Sequence, residues 1–466
     1  MKIIISAPTP LAFRAFTFSG FIAKAQDSCE IIIVSRLKIK QQVLDDMGLN
    51  KVKIYDYATL NEPQKGLAAK VTSWTMKVHQ TKWNLFITKH LQLQNFYHKN
   101  EKRPKPAYGL RYVFNSSVRK FFSSSNLSIN FLRKLERILF VLSYKKARIA
   151  CEELLRVEKP DLVLATIPSV DQTHMFLRVA KKMGFKCEYY VLSHDNITSK
   201  YSFPVQFDKV YVWNERNKSE ILSQYNTYSP SQIKLVGPLS FDWYNIKQNI
   251  VSRGDWIESL NLKGTGKIIL FGTGVKRSAP GEPAILKWLC ECRERGKLPK
   301  DLEVVVRLHP HDQMSRWKNI VDSFNGVTFQ RSMSEKSESG EFIAVQEDIS
   351  SLCSSLAHAD LVITTFTSLA LDGLRNNKPS IFLGFDPVEG SVADEIAKTL
   401  HLREHIYPQV EFNAVNLASS FADLRMLILK NLSNSNWNLS ERKRLINTYD
   451  PFQDGKAYLR LLEFLK

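Results

Sequence analysis

Short runs of β-branched residues recur along this chain, and a stretch with helical spacing follows each of them. Residues 2–8 (KIIISAP), 29–35 (CEIIIVS) and 51–57 (KVKIYDY) read as strands, with helices over 11–25 and near 41–47 between them. The same rhythm returns at 161–168 (DLVLATIP), with a helix ending at Met183, then 187–193 (CEYYVLS), 208–213 (DKVYVW), a helix over 215–225, and 232–237 (QIKLVG). A second series starts at Lys267 with KIILFGTG, followed by a helix over 284–295, EVVVRLHP, a helix near 314–324, GVTFQRS, DLVITT and PSIFLGF. Strands apolar on both faces and separated by helices require parallel sheets covered on both sides. The fold class expected is α/β, with two Rossmann-like doubly wound domains facing a cleft.

The predicted organisation is an N-terminal domain over 1–240, a polar linker over 241–264, a C-terminal domain over 265–435, and helices over 436–466 that pack back on the first domain. The tail from Asn413 reads as helical, and residues 334–341 (SEKSESGE) as a charged surface loop. Residues 61–159 interrupt the first domain as a helical insertion. They hold 20 Lys and Arg against 6 Asp and Glu, so most of the chain's net charge of +19 lies there. Trp74, Trp83, Phe96, Tyr97, Phe121 and Phe122 accompany that charge. Basic helices with aromatic residues suit an anionic membrane surface. A solvated basic face over an ordinary core is the alternative. No zinc-finger, homeodomain, RRM or KH pattern is present, so nucleic acid is not the expected partner.

With 466 residues, 44% of them hydrophobic, the chain can bury two cores. No run approaches about 18 uninterrupted apolar residues, so no membrane span is expected. The first residues carry too short an apolar run for a signal peptide. Six cysteines form no CxxC pair and read as reduced core residues, consistent with a cytoplasmic protein.

Candidate chemistry falls where strand ends meet loops. After KIILF come Gly272, Thr273 and Gly274, which would let backbone approach a ligand, then Lys276 and Arg277, which would neutralise a diphosphate. The spacing is neither a Walker A loop nor GxGxxG. Arg307 and His309 end EVVVRLHP. His309 and His311 lack a third metal ligand, so phosphate is the better partner for His309. The loop SHDNITSK holds His194, Asp195 and Asn196. Either His194 or Asp195 is a candidate base, and an Asx turn capped by Asp195 and Asn196 is the alternative. After DLVITT, Thr367 and Ser368 read as N-caps, with Asp372 one turn further on the same face. Such a helix start is an anion seat, and the carboxylate could accept from a ribose diol. Asp348 reads as a helix cap. No Asp-x-Asp occurs, so no metal is expected and a diphosphate would rely on cations and helix dipoles.

The spacing Arg307-Leu308-His309-Pro310, then Thr367-Ser368-x3-Asp372, then Lys378-Pro379-x-Ile381, resembles the C-terminal domain of GT-B-fold transferases. It is similar to the CDP-glycerol glycerophosphotransferase and surface-polysaccharide transferase group, and to the UDP-N-acetylglucosamine 2-epimerase-like fold. SHDNITSK, FDKVYVWNE and KLVGPLSFD resemble motifs of bacterial surface-carbohydrate proteins of this fold, in which a Trp commonly replaces His194. The resemblance covers residues 1–60 and 160–400. It implies a metal-independent glycosyltransferase acting in cell-surface polysaccharide synthesis. Thr367, Ser368 and Asp372 would hold the nucleotide-sugar donor, while Arg307, His309 and Lys276 would stabilise the leaving diphosphate. Asp195 or His194 would act on a glycan or lipid-linked acceptor, and the basic helices would hold the enzyme at the inner face of the membrane. A CDP-linked polyol-phosphate transferase, a nucleotide-sugar 2-epimerase and a non-catalytic carbohydrate-binding protein share the fold.

Overall fold

The computed structural model describes residues 1–56, 131, 145–167, 171–199, 203–225, 227–276, 279–321, 323–331, 335–336 and 342–466. Of the basic insertion, only Phe131, the helix Lys145–Glu158 and Lys159 fall within them. The proposed membrane-facing helices otherwise lie outside the described residues, as does Arg277. The chain divides into two compact units. Unit 1 comprises Met1–Ser240, Lys336–Ile343 and Lys456–Lys466, and unit 2 comprises Phe241–Glu335 and Ala344–Gly455.

Unit 1 is built from β1 (Lys2–Ser6), α1 (Pro10–Phe18), α2 (Phe21–Ala25), β2 (Glu30–Ser35), α3 (Gln41–Asp46) and β3 (Lys53–Asp56). After the insertion come α4 (Lys145–Glu158), β4 (Leu162–Ala165), α5 (Asp171–Lys182), β5 (Lys186–Tyr190), α6 (Asn196–Ser199), β6 (Val210–Val212), α7 (Glu215–Gln224) and β7 (Ile233–Leu235). The sheet order is β3-β2-β1-β4-β5-β6-β7, all parallel. Alternation along each strand feeds two cores. Ile3, Ile5, Ile31 and Ile33 pack to one face, and Ile4, Ile32 and Val34 to the other. The helix expected over 11–25 is two helices, because Gly20 takes a left-handed φ of 89° and starts a new one.

Unit 2 contains α8 (Arg253–Ser259), β8 (Ile268–Gly272), α9 (Glu282–Glu294), β9 (Glu303–Arg307), α10 (Lys318–Val321) and β10 (Val327–Gln330). Two short strands, β11 (Glu335–Lys336) and β12 (Phe342–Ile343), pair with each other; β11 lies in the segment read as a charged loop and β12 follows it, in the part of the chain that belongs to unit 1. There follow α11 (Gln346–His358), β13 (Leu361–Thr364), α12 (Leu369–Arg375), β14 (Ser380–Leu383), α13 (Val392–Leu400), α14 (Tyr407–Glu411), β15 (Asn416–Ala418), α15 (Phe421–Ser433) and α16 (Leu439–Tyr449). The sheet is again parallel, in the order β10-β9-β8-β13-β14-β15. The tail from Asn413 is therefore not wholly helical. Residues 416–418 add the sixth strand, whose three residues are too few to show a period. The helix expected near 314–324 is a 3₁₀ turn at Met314–Arg316 followed by α10. Residues 241–264 carry 3₁₀ turns and α8, which buries Trp256 against Ser355 of α11.

The last helix, α17 (Ala457–Leu465), belongs to unit 1. Ala457, Leu461, Leu462 and Leu465 form its apolar stripe and join the core beneath α1 and α2. Lys209 Nζ and Tyr211 Oη both donate to the Phe464 carbonyl at its end, at 3.1 and 3.3 Å.

Close helix-to-sheet contact brings α12 directly over β13 and β14. A Cβ on Gly373 would lie 2.7 Å from Ser380 Oγ and 3.1 Å from Val362 Cγ2. Val362 is branched and stiff, so it cannot yield by changing rotamer. Gly373→Ala is expected to lower stability by about 1–3 kcal/mol through overpacking. A urea midpoint equal to that of the unaltered protein would show that α12 sits more loosely on the sheet.

Candidate functional site: the switch point of unit 2

Strand order in unit 2 reverses between β8 and β13. In open parallel sheets, ligands bind beyond the carboxyl ends of the strands at such a reversal. Among the loops that leave the sheet on this side are those after β8, β9, β13 and β14. Their side-chain and backbone bonds tie them into one assembly.

The loop after β8 is fixed first. Thr273 is buried; its N–H donates to the Arg307 carbonyl (3.0 Å), and its Oγ1 accepts from His309 N–H (2.9 Å). Gly274 N–H donates to both carboxylate oxygens of Glu282, at 2.8 and 3.1 Å. These contacts change the reading of the two glycines. A Cβ on Gly272 would lie 2.1 Å from Leu369 Cδ2, so residue 272 is small to admit the first residue of α12. The Gly274 N–H serves a carboxylate of the protein itself. Lys276 stands exposed beyond them.

Glu282 was not legible as a site residue. It opens α9, where an acidic residue ordinarily faces solvent and the helix dipole. Here it is 2% exposed. Besides Gly274, its Oε1 accepts from Thr365 Oγ1 in the loop after β13 (2.7 Å), and its Oε2 faces Arg316 Nη2 (3.3 Å). Arg316 also grips Asp312 at 3.1 and 3.2 Å and donates to the Ala279 carbonyl. Trp317 Nε1 donates to Asp312 Oδ2 (2.9 Å). Burial pushes the Glu282 carboxyl up to about 7, against the opposing pull of Thr365, Arg316 and Gly274. On the far side, Gly281 N–H donates to Asp386 Oδ2 (3.1 Å), which joins the loop after β14.

His309 sits half-buried at the end of β9. Its Nδ1 accepts from His311 N–H (3.1 Å). Burial first, then His311, lowers its pKa below the ordinary imidazole value, against the pull of Asp312. The ring is thus neutral near pH 7, with its proton on Nε2, and Nε2–H is a hydrogen-bond donor.

The turn after β13 departs from the expected capping. Ser368 adopts helical dihedrals and makes no side-chain cap. The cap is Thr367, whose Oγ1 accepts from Leu369 N–H (3.3 Å) and bonds Thr364 Oγ1 (2.8 Å). The Ser368 side chain is left exposed at the turn. Phe366 takes a left-handed φ of 40°, rare for a bulky residue, and is held there by stacking on Phe382 of β14 at 4.8 Å. Asp372 lies one turn further, half-buried. Its carboxylate adds to burial in raising the pKa of the Tyr244 phenol. A ribose contact at Asp372 therefore competes with a partner within the protein.

Arg307 is placed differently from its expected role at the leaving group. Its guanidinium is buried and donates to Gln330 Oε1 (2.6 Å), Ser351 Oγ (3.1 Å), the Asp348 carbonyl (3.3 Å) and Asp348 Oδ1 (2.8 Å). Asp348 correspondingly pairs with Arg307 and does not cap α11, whose N-cap residue, Val345, makes no side-chain cap. The pair fastens α11 to the ends of β9 and β10.

In unit 1, His194 and Asp195 lie in the turn between β5 and α6. Asn196 closes it: its N–H donates to the Ser193 carbonyl (3.0 Å), and its Oδ1 accepts from Ser193 N–H (2.9 Å). His194 is buried 6.1 Å from the Trp213 ring, and Asp195 is half-buried.

Removing one member of a buried ion pair strands the other charge. Asp348→Ala is expected to cost about 3–5 kcal/mol of stability, read as a large fall in the urea midpoint. An unchanged midpoint would free Arg307 for a ligand.

No protein-family model and no curated protein sequence matches the chain. Solved structures do match. Over 100% of this chain and 99% of its own, UDP-GlcNAc 2-epimerase from Neisseria meningitidis, bound to UDP-GlcNAc, superposes with a TM-score of 0.55 at 12% identity. The S. aureus MnaA–UDP structure gives 0.56 at 12% identity, over 100% of this chain and 96% of its own. UDP-GlcNAc 2-epimerase from Methanocaldococcus jannaschii gives 0.54 at 14%, over 100% and 99%. The chain has the two-domain, GT-B-like α/β fold of these enzymes.

Proposed function

We propose that this chain is an enzyme that uses a nucleotide-activated sugar, that unit 2 seats the donor at the β8/β13 reversal, and that the sugar passes to a glycan or lipid-linked acceptor without a metal ion. The observation carrying this reading is the convergence of three loops at that reversal. Thr273–His309 joins the loops after β8 and β9, and Gly274–Glu282–Thr365 joins those after β8 and β13. Thr367, Ser368 and the first N–H groups of the turn take a phosphate. His309, neutral, donates from Nε2 to the diphosphate as charge develops on it. Lys276 supplies the cation. Arg307 supports the end of β9 and leaves the leaving group to His309 and Lys276. In unit 1, Asp195 or His194 takes the acceptor hydroxyl proton. The protein works in the cytoplasm, with its basic segment 61–159 against the inner membrane face.

Nucleotide-sugar 2-epimerisation is the second reading, favoured by the activities of the neighbouring structures. It requires a group that removes the proton at C2 of the sugar. In unit 2, the carboxylates of Glu282, Asp312, Asp348, Asp386 and Asp394 accept from N–H groups or arginines of the protein itself. Carboxylates engaged in this way are poorly suited to that task.

Incubation with UDP-, GDP-, CDP- and CMP-linked donors in D2O, with and without EDTA and glycan acceptors, separates the readings. Acceptor-dependent donor consumption that EDTA leaves unchanged, with no deuterium at C2, is expected. Deuterium entering C2 without an acceptor would establish the epimerase reading. Activity abolished by EDTA would sink the metal-free assignment.

A further inference from the structure

Among the described residues, Glu282 is a fully buried carboxylate at the reversal that touches the loops on both of its sides. It sits at the start of α9, between the loop that carries Lys276 and the loop that carries Thr367. Its two oxygens receive Gly274 N–H and Thr365 Oγ1, with Arg316 against Oε2. Arg316 is itself 8% exposed at its side chain and locked by Asp312, which is 1% exposed. A carboxylate taken out of water at this position costs free energy that ordinary helix capping would avoid. Such a cost is tolerated where geometry, not stability, is at stake.

Resting on the donor reading above, we infer that Glu282 is a positioning residue: its carboxylate, held by Arg316, sets the spacing between the loops after β8 and β13 that receive the donor diphosphate. The ligand class is a nucleoside diphosphate. Glu282 does not touch it and acts through Gly274 and Thr365.

The charge state gives this role a signature. The Glu282 carboxyl moves from an ordinary 4.5 to about 7 on folding. The folded chain therefore holds this proton more tightly than the unfolded one. Its contribution to stability falls as pH rises between those two values, while the ionised, Arg316-paired clamp forms as pH rises through about 7. The charged groups around it are Arg316 and Asp312 from the loop after β9, and Asp386 from the loop after β14, which acts through Gly281. Burial and His311 shift His309, on the same loop as Asp312, down from the ordinary imidazole value. Nucleotide affinity should accordingly rise with pH while thermal stability declines.

Calorimetric titration of the full chain with UDP, CDP and GDP from pH about 6 to about 8 tests this. Glu282→Gln keeps shape and one acceptor but cannot ionise. It is expected to fold, to bind the preferred nucleotide roughly tenfold more weakly at the upper pH, and to lose the part of the pH slope that the nucleotide's own phosphate does not cause. Wild-type affinity and an unchanged slope in E282Q would overturn the positioning role and leave the donor reading intact. No binding of any nucleotide by the unaltered protein would overturn the donor reading and this inference with it. If E282Q does not fold, Thr365→Val removes one contact to the clamp. Weakened binding in that variant supports the role, and undiminished binding overturns it.

Discussion

Parallel strands cannot be joined by tight turns. Each must be left through a crossover that returns over one face of the sheet. Both sheets here obey that constraint throughout, and it places every strand's carboxyl end on the same edge. Where successive crossovers switch to opposite faces, the departing loops part. In unit 2 that point lies between β8 and β13. Burial of Ile268–Phe271, Val304–Val306 and Leu361–Ile363 holds the edge in place, because each such side chain is worth about 1.5–3 kcal/mol out of water.

Given that edge, polar residues decide what it offers. Glu282, Thr365, Arg316 and Asp312 spend their hydrogen-bonding capacity on one another and on the loop backbone. Arg307 and Asp348 do the same one layer below. Among the described residues, the donors that these loops still offer include the His309 imidazole, the Ser368 hydroxyl and the Lys276 ammonium. A division into buried charged groups that fix loops and peripheral groups that meet the ligand is what a preorganised anion site requires.

Much of the fold was legible in the sequence because parallel strands buried on both faces read as unbroken apolar runs. EIIIVS, EVVVR and LVIT announce themselves. Residues 416–418 did not, since the three residues Asn416, Leu417 and Ala418 carry no pattern. The site was legible in outline: the loops after β8, β9 and β13 were all singled out from their position at strand ends. Individual roles were less so. Arg307 looks like a ligand contact until its buried partners Asp348 and Gln330, from distant segments, are seen. Gly272 looks like a phosphate glycine until Leu369 is seen against it. Glu282 looks like a surface helix residue because nothing local records that Thr365 and Arg316 close over it. In each case the deciding neighbour is far away in the chain.

The central claim is that the donor's diphosphate rests in unit 2 at the β8/β13 reversal. A crystal structure of the full chain soaked with UDP or CDP tests it most directly. The account requires phosphate oxygens within hydrogen-bonding distance of the Thr367–Ser368 turn and of His309 Nε2. Nucleotide density at the β1/β4 reversal of unit 1, with the unit 2 loops empty, would contradict it.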